Sequence, residues 1–388
     1  MDLLLFYLLG IVTGWLLFDK FYKKYKKGKT PYFSKEYFNG LRHVINEEQD
    51  KAILIFTQIL ANNPETVEPQ IALGALYRRR GESAKAISVH KSLIEGENLS
   101  EVQKKQALFE LGRDYMKAGM LDRAIIPFDQ LKVDKEYKQM ALTFLVQIYD
   151  QENDWDKALL AVKSLIKCSK DNKWNIVCSH YYCEKAIVEM KSKNYQEAFK
   201  LLNKALKIYP QIVRAKTLQA NIFQSIDDNQ SALEIYKTII EQQPVYIPRI
   251  ITPMLECYNK IASPTEIISY LQDKINKIPS TSLVLAMVKI MQEQNEQENA
   301  EKALMNVLQK RPTVLGLEFL ISLNLQKTIE DKARIRLKAL KTMMAKLREE
   351  KPTYVCKHCG FQALELHWQC PSCRSWDTIR PIIGVSGE

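Results

Sequence analysis

One pattern recurs along this chain at a nearly fixed interval, and it restricts the fold more than any other feature. Gly40, His43, Ala52, Phe56, Ile59 and Pro64 occupy slots that, thirty-four residues on, hold Gly74, Tyr77, Ala86, His90, Leu93 and Asn98. After a step of thirty-eight the slots return as Gly112, Tyr115, Ala124, Phe128 and Leu131. A period of this length signals stacked supersecondary units, none of which can bury its apolar face alone. Within a unit, a small residue belongs where two helices touch closely and an aromatic fills the gap beside it. Pro or Asn then ends the second helix.

This small-x-x-aromatic, Ala-x-x-x-aromatic order resembles the tetratricopeptide repeat, with two antiparallel helices per unit. Later units pass through Tyr149, Ala158 and Leu165, then Ala186, Ala198, Ala205 and Pro210, then Ala220, Phe223, Ala232, Tyr236, Ile239 and Pro244. Ala158 to Ala198 is forty residues, so extra sequence near Lys170 to Asn175 predicts a longer loop. Pro244, Pro248, Pro253 and Pro264 weaken the pattern and belong in first turns or loops, because a proline inside a helix removes a donor and clashes with the preceding turn. Helical periodicity then resumes as far as Arg348. The expected class is all-α, a tetratricopeptide-repeat superhelix of about nine helical hairpins over residues 34–350.

The formal charge is +11, and its position matters more than its size. Residues 1–30 carry a net +4 and residues 332–351 a net +6, so the repeat body is nearly neutral. A broad electrostatic footprint for nucleic acid is therefore not expected. From Leu3 to Phe18 no residue is charged, and Lys20, Lys23, Lys24, Lys26, Lys27 and Lys29 follow. Sixteen residues fall short of the roughly twenty that a span needs, but Phe21 and Tyr22, with snorkelling lysines, extend the run. A signal peptide begins with positive charge, whereas Asp2 leads here. The reading is a transmembrane anchor over 1–22 and a basic juxtamembrane linker over 23–33. The lysines favour the cytoplasm for the bulk of the chain.

The chemical signal lies at the other end, in residues 351–388. Cys356 and Cys359 sit in CKHCG, and Cys370 and Cys373 repeat their spacing in CPSC. Two such knuckles supply four sulfurs to one tetrahedral ion, iron or zinc, and Gly360 permits the first turn. A segment this short has no apolar core of its own, so the metal must make it a domain. Four thiolates leave no open position for substrate, which marks the site as structural. Trp368 and Trp376 are expected to dock the domain against the last helices of the array. Cys168, Cys178, Cys183 and Cys257 lack knuckle spacing and read as buried thiols. No triad, metalloprotease or phosphate-loop spacing gathers around His43, His90 or His180, so no catalytic residue is assigned.

Anchor, repeats and the terminal block from Tyr354 to Pro381, with CKHCG followed by CPSCRSW, together resemble the lipopolysaccharide assembly protein B family of Gram-negative bacteria. The resemblance spans the whole chain. It implies a rubredoxin-like metal domain ligated by Cys356, Cys359, Cys370 and Cys373. It also implies a single-pass inner-membrane adaptor that brings the lipid A pathway's committing deacetylase to the membrane protease FtsH, and that meets other lipopolysaccharide synthesis or transport proteins. The ten-residue interval between knuckles departs from true rubredoxins and counts against independent electron transfer.

An array of helix pairs offers a groove lined by the first helix of each unit. Arg78, Arg79, Arg113, Lys117, Arg214 and Asn221 occupy groove positions and are the candidate partner contacts, with a solvated helix face as the plainer reading. Homodimer formation stays open. Two other functions compete with the adaptor: a redox-active iron carrier or sensor, and nucleic-acid binding through the ribbon and the basic helix Lys332 to Arg348.

Overall fold

The computed structural model describes residues 35–96, 99–278, 280–328, 330–349 and 351–384. The expected anchor and juxtamembrane linker lie outside them. Among the described residues no helix is long and apolar enough to cross a membrane. Eighteen α-helices follow one another there, in nine consecutive pairs, and a small antiparallel ribbon follows the last. The chain divides into two compact units, residues 1–148 and 149–388.

The first unit contains α1 (Lys35–Ile45), α2 (Gln49–Asn62), α3 (Val67–Arg79), α4 (Ser83–Glu95), α5 (Glu101–Lys117), α6 (Leu121–Leu131) and the start of α7 (Lys138–Glu152). The recurring slots explain its packing. A Cβ at Gly40, Gly74 or Gly112 would stand 2.9, 2.4 or 2.7 Å from the ring of Phe56, His90 or Phe128, so each glycine seats the ring sixteen residues later. Ala52, Ala86 and Ala124 are fully buried beside these contacts. Phe128 also stacks on Phe144 with centroids 4.8 Å apart. Burial of such a ring contributes about 1.5–3 kcal/mol.

A second period runs through the turns within hairpins. Glu47, Gly81, Gly119, Asn153, Lys193, Asp227 and Asn295 all have φ between 56° and 81°. After each of them an amide reaches back to a carbonyl five residues earlier, for example Glu82 N to Tyr77 O and Asn194 N to Glu189 O, at 2.9 Å in both cases. That is the Schellman closure of a helix. Only two of the seven positions are glycine, which is why glycine spacing alone does not reveal this repeat.

The second unit continues with α8 (Trp155–Cys168), α9 (Lys173–Lys191), α10 (Tyr195–Ile208), α11 (Val213–Ser225), α12 (Asn229–Gln242), a 3-10 turn (Pro244–Tyr246) and α13 (Ile247–Ile261). It ends with α14 (Pro264–Lys277), α15 (Thr281–Glu293), α16 (Gln297–Lys310), α17 (Val314–Lys327) and α18 (Asp331–Glu349), then the ribbon. One buried core runs from Val213 to Leu323. Two expectations fail here. The extra sequence near Lys170 to Asn175 makes no long loop: α9 starts at Lys173 and reaches 19 residues, because Trp174 in its added turn finds a buried seat. Pro253 lies inside α13, not in a first turn, although Pro244, Pro248 and Pro264 do sit at helix starts. Pro253 forgoes one helical hydrogen bond, and the burial of Ile250, Ile251, Met254 and Cys257 around it holds the helix together.

Candidate functional site

The ribbon is built around β1 (Tyr354–Cys356), with β2 (Gln362–Ala363) and β3 (Ile379–Pro381) antiparallel on its two sides. Its two Cys-x-x-Cys turns are made alike. Gly360 N donates to Cys356 O at 3.0 Å, and Arg374 N donates to Cys370 O at 2.9 Å. Gly360 has φ +79° and Arg374 φ +56°, so the second knuckle adopts without glycine the left-handed turn that Gly360 allows in the first.

This geometry gathers the four thiols. Cys356 Sγ lies 3.8 Å from Cys373 Sγ, Cys359 Sγ lies 3.6 Å from Cys370 Sγ, and all four sulfurs fall within 4.8 Å of one another. A tetrahedron with metal–sulfur bonds of about 2.3 Å has edges of about 3.8 Å. The donor set therefore fits one zinc or iron ion, and these are the four cysteines expected from the knuckle spacing. Burial pushes the Cys370 thiol up to about 12. At Cys373 burial is outweighed by hydrogen bonds from Ser375, His358 and Cys359, and the thiol falls to about 5. Thr378, whose Oγ1 is 3.3 Å from Cys356 Sγ, and Ser375 are supporting residues that knuckle spacing does not reveal.

Apart from the sulfurs, little holds the ribbon from within: its buried cluster is Cys356, Cys370 and Ile379. The helices supply the rest. Trp376 stacks on His180 of α9 with centroids 4.7 Å apart, meets Tyr181 edge-on at 6.0 Å, and lies under the Arg214 guanidinium at 5.6 Å. Trp368 stacks on Tyr246 at 5.7 Å. Tyr246 donates its hydroxyl to Asp377 at 2.9 Å, and Gln369 donates to Asp150 at 2.6 Å. The ribbon is docked, as expected, but these aromatic contacts fall on α9, α11 and the 3-10 turn and not on the last helices. The physical reason is that the middle of the unit offers flat rings and a guanidinium for two indoles to cover.

This seat holds unusual polar groups. His180 is fully buried, and neither ring nitrogen has a hydrogen-bond partner. Burial, reinforced by the Arg214 and Arg380 cations, pushes its pKa well below the ordinary 6.5. Burial raises the Asp150 carboxyl, against donors from Gln369, Tyr181 and Trp376.

The candidate groove residues meet several fates. In the first unit Arg78, Arg79 and Arg113 line one cavity of about 230 Å³, together with Tyr37, Glu68 and Glu110. Arg78 is buried there, donating to Asp114 at 2.6 Å and pairing with Glu110. Arg79 and Lys117 are exposed, and Lys117 does not line the cavity. In the second unit Arg214 is buried, paired with Glu184 at 2.8 Å and covered by Trp376. Asn221 accepts from the Tyr236 hydroxyl at 3.1 Å. His90 completes a network that spacing missed: its Nδ1 lies 2.5 Å from Asp114 Oδ2, and both side chains are fully buried. The available signal was a histidine in a slot that holds phenylalanine in the neighbouring repeats. Of the four thiols read as buried, Cys178, Cys183 and Cys257 are, whereas Cys168 at the end of α8 is exposed.

Residues 354–381 match the family described as the rubredoxin metal binding domain. The chain is 32% identical over 386 residues to the Escherichia coli (strain K12) protein named lipopolysaccharide assembly protein B, covering 99% of both. It is 29% identical over 389 residues to the Haemophilus influenzae protein of the same name, covering 98% of both. A tetratricopeptide repeat protein from Parabacteroides merdae aligns in structure over 81% of this chain and 98% of its own, at 14% identity and a TM-score of 0.35. With its relatives matched from end to end and its four sulfurs gathered in the matched domain, the chain belongs to the lipopolysaccharide assembly protein B family.

Proposed function

We propose that this chain is a membrane-tethered adaptor in lipopolysaccharide assembly, without an enzymatic step of its own. Its helix pairs bind protein segments, and it limits lipopolysaccharide synthesis by delivering the committing deacetylase of lipid A synthesis to FtsH. Residues 1–22 hold it in the inner membrane with the repeats on the cytoplasmic side. The carrying observation is the relation to proteins named lipopolysaccharide assembly protein B over 99% of both chains. Two features of the fold agree with it. Stacked helix pairs suit peptide recognition, and a four-sulfur set is closed to substrate. Tethering raises the effective concentration of the groove toward membrane-bound partners without any new contact.

The test is co-purification from native membranes of the whole chain and of a Cys356→Ser, Cys359→Ser variant. The protease and the deacetylase should come down together with the intact chain and separate in the variant. Recovery of neither with the intact chain, or an unchanged deacetylase half-life when the chain is depleted, would remove the adaptor reading. A coloured, reversibly bleaching protein would favour an iron redox carrier instead.

A further inference from the structure

The last helix, α18, differs from the helices before it in what it leaves uncovered. Ala333, Leu337, Lys341, Met344 and Ala345 are half-buried, and the helix packs on α17. Ile335, Leu340, Met343 and Leu347 are 68, 49, 60 and 49% exposed, four large apolar side chains on one element. Ile335, Ala339, Met343 and Leu347 follow one another at steps of four, which places them in one row along the helix, with Leu340 beside it. Lys332 and Arg336 border this row on one side and Arg334, Lys338 and Lys346 on the other, whereas Lys341 is half-buried on the opposite side with Leu337 and Ala345.

These six cations stand against Asp331 alone within residues 331–347, a net +5. Among the described residues none of the six forms an ion pair. Two lysines elsewhere in the same unit do find acidic partners, Lys327 with Glu301 and Lys274 with Glu241, each at 2.7 Å. A helix with an exposed apolar row and unmatched basic flanks fits a surface that is anionic on top and apolar beneath.

We propose that α18 lies on an anionic phospholipid surface, with Ile335, Ala339, Met343 and Leu347 entering the boundary between headgroups and acyl chains and the five exposed cations Lys332, Arg334, Arg336, Lys338 and Lys346 meeting lipid phosphates. The flanking Lys and Arg stems are long enough to keep their charges at headgroup level while the apolar row sinks. Other occupants fit less well. A second copy of this helix would set +5 against +5. Nucleic acid would meet the charge, but residues 331–349 contain no Phe, Tyr or Trp on which a base could stack, and the apolar row would stay wet. The inference rests on the membrane location proposed above and adds a second point of contact, which would orient the repeats and not merely tether them.

The test is hydrogen exchange of the whole chain reconstituted into vesicles containing phosphatidylglycerol and into vesicles of phosphatidylcholine alone. Exchange across residues 331–347 should be about tenfold slower in the anionic vesicles and recover at high salt, while α15 serves as an unchanged reference. An Ile335→Ser, Met343→Ser variant should lose that protection. Equal exchange in the two lipids, or protection that survives the double substitution, overturns the proposal. Protection by an RNA oligonucleotide or an acidic protein, with none by lipid, does so in favour of that partner. Resistance to alkaline extraction, read on the same vesicles, reports residues 3–18 independently. If the chain is extracted, the tether reading fails, and α18 is then tested by adding the vesicles to the extracted protein.

Discussion

The helical repeats and the ribbon reach stability by opposite routes. In the second unit a continuous core runs from Val213 to Leu323, whereas the ribbon's own buried cluster is Cys356, Cys370 and Ile379. Area removed from water can hold the helices, at about 25 cal/mol per Å² of apolar surface. The ribbon has too little such area, so it depends on four sulfurs around an ion and on two indoles pressed against α9, α11 and Tyr246. The contrast shows that a small domain can borrow its apolar neighbours from a larger one.

The sharpest way to break this comparison is to remove the ion. A Cys356→Ser, Cys359→Ser variant, or strong chelation, should unfold the ribbon, since a structural zinc site contributes on the order of 10 kcal/mol. Protease cleavage within residues 351–384 should then appear, and Trp368 and Trp376 emission should shift red, while helical circular dichroism persists. A ribbon that stays protease-resistant without its ion would mean that docking alone suffices.

Next in size is Trp376→Ala, which removes the His180 stack, the Tyr181 edge and the Arg214 contact at once. A fully buried indole truncated to alanine costs about 3–5 kcal/mol and the half-buried Trp376 should cost less, but enough that the variant loses its metal to chelator faster than the parent. Unchanged metal retention would show that the two layers are energetically separate.

On the helical side, Gly112→Ala sets a methyl 2.7 Å from Phe128 Cζ and should cost about 1–3 kcal/mol by overpacking. Thermal unfolding should detect it in the helices, with no change in metal retention by the ribbon, which belongs to the other unit.

The smallest effect is a pH dependence at the seat of the ribbon. His180 has a depressed folded pKa, so the unfolded state binds the proton more readily. Its contribution to stability is complete above the unfolded value of 6.5 and is lost as pH falls from there toward the folded value. Docking, followed by protease access to the ribbon, should be unaffected at pH 8 and weaker at pH 5.5. His180→Phe should flatten that slope, and a slope unchanged in this variant would assign it to the thiols.

Much of this architecture could be read before any coordinates. The spacing of Gly40, Gly74 and Gly112 against Phe56, His90 and Phe128 names the helix–helix contacts, because only a residue without a side chain admits the ring. The two Cys-x-x-Cys pairs name the ligands, because sulfur at that spacing closes on an ion through local turns alone. The left-handed turn residues were hidden, since Glu47, Lys193 and Asp227 adopt that conformation without the glycine that would have marked it. Pro253 was misplaced, since a rule about isolated helices does not know how much apolar surface a helix will bury.

Interactions between neighbours in sequence, within a hairpin or within a knuckle, follow from residue type and interval, and these were legible from the chain alone. Which helices the ribbon would cover was not. Trp376 meets His180 and Arg214, and Gln369 meets Asp150 across 219 residues, contacts that no periodicity encodes. The same holds for Arg214, a groove position by spacing that became the underside of a docked domain. Only the folded chain decides such pairings, because they depend on where distant surfaces end up and on which of them still has apolar area left to cover.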